Sequence, residues 1–157
     1  MFPTAPALAA YRARSATGVI ALRAALEMVG MPYSWGGGGI GGPGYGIGKG
    51  AGTRGFDCSG LTEYAYARAG AYIGTTTQEQ WRSGIRLPKE LVEPGDLVFY
   101  DNDRSSPGPE HVGIAVDAET MVNAPYTGAF VRLDRLGRAD LLGVVRPGVG
   151  RAAEGRG

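Results

Sequence analysis

Cysteine and histidine are almost missing from this chain, with one of each in 157 residues. A single Cys excludes an internal disulfide. One Cys and one His are also a poor start for a zinc site, which takes three or four ligands from Cys, His and carboxylates. No apolar run approaches the roughly 18 residues of a membrane-spanning helix. No block of one charge stands out: 16 basic and 15 acidic residues leave a net +1, which gives no electrostatic case for nucleic acid or an anionic membrane. The opening lacks the basic start and apolar centre of a secretory signal. Residues 1–14, rich in Ala and Pro, read as a flexible linker or extension, and residues 148–157 as a disordered tail. Residues 15–147 then form one domain, in a chain whose 43% apolar and 20% charged composition suits a soluble protein with its own core. A single small core makes a monomer the default.

Glycine is plentiful instead. Of 28 glycines, 12 fall in Gly36–Gly55, which must be a loop and reads as flexible. A phosphate-binding loop would need G-x-x-x-x-G-K-[ST]. Around Gly48-Lys49 the first position is Pro43 and the residue after Lys49 is Gly50, so the match fails twice. Before this loop, Thr17 is placed to N-cap a helix running to about Val29, with Val19, Ala21, Leu22, Ala25, Leu26 and Val29 giving an apolar face and Gly30 and Pro32 as its stop. A second helix is expected from Cys58 or Ser59 to Arg68 and a short one over Gln78–Ser83. Strands follow at Asp96–Tyr100, His111–Val116, Thr120–Ala124, Phe130–Asp134 and Leu141–Arg146. Helices first and strands after indicate an α+β fold, an antiparallel sheet with helices on one side.

The lone Cys has two uses, core filler or reactive thiol. Its neighbours favour the second, for it sits in Phe56-Asp57-Cys58-Ser59-Gly60-Leu61, at the head of the second helix. There its thiolate faces free N–H groups and the positive end of the helix dipole, which predicts a lowered pKa. The N–H groups around Ser59 and Gly60 can also hold an oxyanion. His111 opens the strand HVGIAV, whose alternation puts His111, Gly113 and Ala115 on one face. That face, lined by small residues, should be open to a ligand, with His111 as a base. If the following hairpin centres on Asp117, Asn123 lies opposite His111, with Cβ atoms about 4.5–5.5 Å apart. Asn123 can then accept from the imidazole N–H and hold its tautomer. Asp117 and Glu119 are rival orienters placed on the turn.

Four blocks in order carry a resemblance to the NlpC family of cell-wall cysteine peptidases: Gly30-Met31-Pro32-Tyr33-Ser34-Trp35-Gly36-Gly37, the Cys58 block, Pro94-Gly95-Asp96-Leu97-Val98-Phe99-Tyr100, and His111-Val112-Gly113-Ile114. The resemblance spans about residues 17–146 and is nearest the branch of mycobacterial and related cell walls. It implies a papain-like fold and hydrolysis of an amide in the peptidoglycan stem, commonly between D-glutamate and a diamino acid. It makes Cys58 the nucleophile, His111 the base and Asn123 the third polar residue, with Tyr33 near the nucleophile as an oxyanion donor. Asp57, beside Ser59 in the same block, matches a residue that meets a substrate amine. The implied chemistry needs no metal or cofactor. The third position in that branch is often Glu or His, and here it is Asn. After the second helix an Arg or His before a Ser is usual, whereas this chain reads Thr75-Thr76-Thr77. The implied location is secreted, in the cell wall or periplasmic space. The implied partners are stem peptides, with an inhibitory segment or an immunity protein as further candidates. The competing readings are a wall-binding domain with weak or no turnover, and an amidase or acyl-transfer toxin.

Overall fold

The computed structural model describes residues 5–103 and 105–148, with the backbone alone for residues 6–15. Helix α1 spans Ala5–Leu26. It therefore starts well before the expected N-cap: Thr17 lies inside it, and its backbone runs through most of the segment expected as linker. Residues 1–4 and all but Gly148 of the expected tail lie outside the described residues. Gly30, at φ +95°, turns the chain as expected of a helix stop.

The Gly36–Gly55 stretch is built, not loose. Strands β1 (Gly44–Tyr45) and β2 (Arg54–Gly55) pair antiparallel around a single 3-10 turn at Gly48–Gly50. The Ser34 hydroxyl ties this turn down by donating to the carbonyls of Gly50 (3.0 Å) and Thr53 (2.7 Å). A Cβ at Gly46 would sit 1.9 Å from the Trp35 carbonyl oxygen, and one at Gly55 1.8 Å from that of Pro32. These glycines let backbone lie directly on backbone.

Helix α2 (Cys58–Arg68) follows, as expected, and then α3 (Thr77–Gln80). Thr76 caps α3 in a capping box with Glu79, so this helix is shorter and earlier than the sequence suggested. Six strands form one sheet: β3 (Gly84–Leu87), β4 (Leu97–Tyr100), β5 (His111–Ala115), β6 (Thr120–Asn123), β7 (Arg132–Arg135) and β8 (Leu141–Pro147). The order is β3-β8-β4-β5-β6-β7, antiparallel throughout. Strand β3, short and absent from the sequence reading, forms one edge. No described helix is long and apolar enough to cross a membrane.

The main core lies between the helices and one sheet face. Ala21 and Ala25 of α1 and Leu61 and Ala65 of α2 meet Leu97, Phe99, Val112, Ile114 and Val122, all fully buried. Each of the Leu, Val, Ile and Phe side chains contributes about 1.5–3 kcal/mol by leaving water, and each alanine methyl less. A smaller cluster of Val98, Tyr100, Ala115, Met121, Leu136 and Val144 covers the opposite face. The fold is thus α+β, with α2 laid against α1 and β5.

Candidate active site

The Asp57 side chain starts α2. In extended backbone as the N-cap, it accepts the Gly60 N–H at 2.6 Å. The Ser59 hydroxyl and the Gly36 N–H also donate to it, and although burial raises its pKa overall, these bonds pull against that. Cys58 is therefore the first helical residue. The N–H groups of Cys58, Ser59 and Val112 act on its sulfur, and the thiol donates to the Glu110 carbonyl at 3.8 Å. The sulfur sits against the backbone on both sides of His111.

Two contacts from α3 hold the backbone that enters His111. Thr77 and Gln78 of α3 donate to the Pro109 carbonyl (2.8 and 2.9 Å). Gln80, fully buried, donates to the carbonyls of Ser59 and Gly74 (both 3.0 Å) and accepts from Thr62. The α3 segment thereby links the nucleophile helix to the run entering β5.

His111 and Asn123 are brought together, by a different register from the one expected. Ile114 pairs with Val122 and Ala115 with Met121, so Gly113, not His111, faces Asn123 across the ladder. The turn is wider because Asp117 Oδ1 accepts the N–H groups of Glu119 and Thr120 (2.8 and 2.9 Å). A two-residue shift preserves the face, and His111 meets Asn123 on the diagonal, Nε2 to Oδ1 at 2.8 Å. Gly113 permits this lean, since a Cβ there would lie 3.2 Å from the Asn123 Cβ. The expectation of an open His face is corrected as well. His111 is 6% and Asn123 1% exposed, because the second apolar cluster roofs that face, and only its end opens.

That opening is a cleft of about 590 Å³ lined by Tyr33, Cys58, Glu110 and His111 on one part and Trp35, Lys49 and Tyr126 on another. Asp57 and Ser59 stand behind this wall, on the helix start. The cleft also carries Arg132, Asp134, Arg135 and Arg138, so with Lys49 and Glu110 its wall holds four basic and two acidic side chains. Sequence reading missed all of these except Tyr33, Cys58 and His111. For Lys49 and Trp35 a signal existed: glycine at every second position from Gly42 to Gly52 marks a chain packed backbone-to-backbone.

Electrostatics overturn the expected low thiol pKa. Burial, then the Asp57 charge, push the Cys58 thiol up to about 12, against the three N–H groups that favour the thiolate. Burial likewise lowers the His111 pKa, partly countered by the Asn123 bond. Near neutral pH the pair rests as thiol and neutral imidazole. Tyr33, its pKa raised by burial and then by Cys58 and Asp57, keeps its proton and can donate it to an oxyanion. Burial works against ionised Asp134, but bonds from Asn123 and Arg132 outweigh it and lower its pKa. Among the described residues no group of three or more His, Cys, Asp or Glu is placed to hold a metal ion.

A family model described as the NlpC/P60 family matches residues 30–139. The chain is 39% identical over 112 residues to a peptidoglycan endopeptidase, RipA, of Mycolicibacterium smegmatis, covering 71% of this chain and 22% of that one. It is 36% identical over 129 residues to RipB of Mycobacterium tuberculosis, also named a peptidoglycan endopeptidase, covering 82% and 52%. It thus spans about a fifth to a half of these curated relatives. The solved structure of RipD from Mycobacterium tuberculosis, described as a non-catalytic NlpC/p60 domain protein adapted to peptidoglycan binding, superposes with a TM-score of 0.73 at 31% identity, over 83% of this chain and 96% of that one. With the family model matching 110 of 157 residues and the papain-like arrangement of α2 against the sheet, this chain belongs to the NlpC/P60 family.

Proposed function

We propose that this domain is a cysteine endopeptidase that hydrolyses an amide bond in the peptidoglycan stem peptide, the D-glutamyl–diaminopimelate bond being the first candidate. The observation that carries the reading is the placement of Cys58 at the head of α2, in one cleft with a His111 whose Nε2 is held by Asn123. Two relatives named peptidoglycan endopeptidases support the substrate class. So does a cleft with more basic than acidic side chains, suited to a peptide rich in free carboxylates. The reading places the protein outside the membrane, in the wall or periplasmic space, with residues 15–147 as the peptidase domain.

In the mechanism, the His111 Nδ1, the ring nitrogen not held by Asn123, takes the Cys58 proton as sulfur attacks the carbonyl carbon. The N–H groups of Cys58 and Ser59, not needed by the cap, and the Tyr33 hydroxyl receive the oxyanion; one such donor is worth about 3–4 kcal/mol of barrier. His111 then protonates the departing amine and activates the water that frees the acyl group. A second reading, a peptidoglycan-binding domain with little turnover, is favoured by the high thiol pKa and by the likeness to RipD. Incubation with a soluble alanyl-glutamyl-diaminopimelyl stem peptide separates the two. The enzyme releases fragments whose masses name the bond and Cys58→Ala releases none, whereas binding without fragments from either protein favours the second reading.

A further inference from the structure

We propose that Asp134 is a positioning residue, the outer member of a four-residue line from sheet edge to thiol, fixing the His111 tautomer through the Asn123 amide. Donors and acceptors fix the orientation of the Asn123 amide. Asn123 has one acceptor oxygen and two amide hydrogens. Its Nδ2 faces the Arg132 carbonyl at 3.2 Å and Asp134 Oδ2 at 3.0 Å. Neither a carbonyl nor an ionised carboxylate can donate. A flipped amide would therefore set oxygen against two oxygens. With the amide so locked, Oδ1 must face His111, and at 2.8 Å it can only accept from Nε2–H. The neutral ring then leaves Nδ1 as its sole free lone pair. Asp134 is held in turn, since Arg132 Nε donates to the same Oδ2 at 2.9 Å and the Arg132 guanidinium also donates to the Tyr126 hydroxyl at 3.2 Å.

The strand ladder explains the geometry. Asn123 pairs with Arg132 and Met121 with Asp134, so Asp134 lies diagonal to Asn123 on the sheet face they share, as Asn123 does to His111. A charge that could have stood beside the imidazole thus stands one strand further out and acts through a neutral amide. Asp134 is not among the groups at the Cys58 sulfur and reaches the imidazole only through Asn123, so its proposed effect is on orientation.

The chain has one histidine, so its ring signals need no assignment. Long-range proton–nitrogen NMR of isotope-labelled histidine, at a pH above the ring's titration, is expected to show a single Nε2–H tautomer in the wild type. Asp134→Val is expected to mix the two tautomers and lower kcat on a stem peptide by about tenfold, with KM within about twofold. Asp134→Asn, whose amide oxygen can still accept from Asn123, is expected to restore the single tautomer. If Asp134→Val does not fold, Asp134→Ser, too short to reach the amide, is read the same way. A wild-type ring protonated on Nδ1, or a valine variant that keeps a pure Nε2–H ring, overturns the proposal. The activity arm rests on His111 as the base, but the tautomer arm does not. A protein without turnover whose ring still behaves as expected would count against the hydrolase reading alone.

Discussion

Cys58 is a thiol made to wait. The helix terminus and three N–H groups act to lower its pKa, and burial beside Asp57 acts to raise it; burial wins, with a value near 12. The thiolate fraction should therefore be small at neutral pH and rise with pH. As the only cysteine, its alkylation can be read by intact mass. The expected rate constant with iodoacetamide climbs steadily through pH 9 without a plateau. A plateau reached near pH 6–7 would mean a preformed thiolate–imidazolium pair instead. Tyr33, 9% exposed and lining the same cleft, should lose little as Tyr33→Phe except an oxyanion donor. The expected result is kcat lower by about 100-fold and KM nearly unchanged, measured by steady-state kinetics. At this scale the sequence was most informative where chemistry is local. The residues flanking Cys58 identify a helix start, and Asp57 is its cap. Asp134 was invisible because its meaning depends on a strand pairing that no local motif records.

Elements explain why the site survives an error in the register. A hairpin widened by the Asp117 turn moved Asn123 from opposite His111 to its diagonal, yet an even shift keeps side chains on their face. The cost is a demand for glycine between them. Gly113→Ala places a Cβ 2.7 Å from the Met121 sulfur and 3.2 Å from the Asn123 Cβ. It should lower stability by about 1–3 kcal/mol and displace the Asn123 amide from His111. Thermal unfolding and kcat measured together check both effects, and a fully active, equally stable alanine variant would contradict this account of the strand. The Gly36–Gly55 loop teaches a related lesson. Its composition reads as freedom when taken residue by residue, but the same glycines remove every obstacle to tight packing on Ser34 and Trp35. The loop so formed brings Trp35 and Lys49 to the cleft, with the Lys49 ammonium 4.9 Å from the indole centre.

For the whole molecule, the order of helices and strands was enough to assign the fold class, and five of the six strands of the main sheet fell near their expected places. Strand β3 did not, because Gly84-Ile85-Arg86-Leu87 is a short, partly exposed run with no alternating pattern, held as a strand by its pairing with β8. An ion pair distant in sequence ties β8 to the start of β4. Arg146 of β8 donates to both carboxylate oxygens of Asp96 at 2.9 and 2.8 Å, and Asp96 is 3% exposed. Arg146→Met would leave that carboxylate buried without its cation and should cost about 3–5 kcal/mol, a fall in Tm of roughly 10 °C. Neither residue lines the cleft, so the folded variant should keep its kcat; an unchanged Tm would mean that the pair contributes little.

The central claim, that Cys58 and His111 together cut the stem peptide, is tested most directly by digesting purified diaminopimelate-type peptidoglycan with the wild type, Cys58→Ala and His111→Ala in parallel and identifying the soluble fragments by mass. Release of stem fragments by the wild type, and by neither variant, is the predicted result. Equal release from all three, or none from a folded wild type that still binds the polymer, would contradict it.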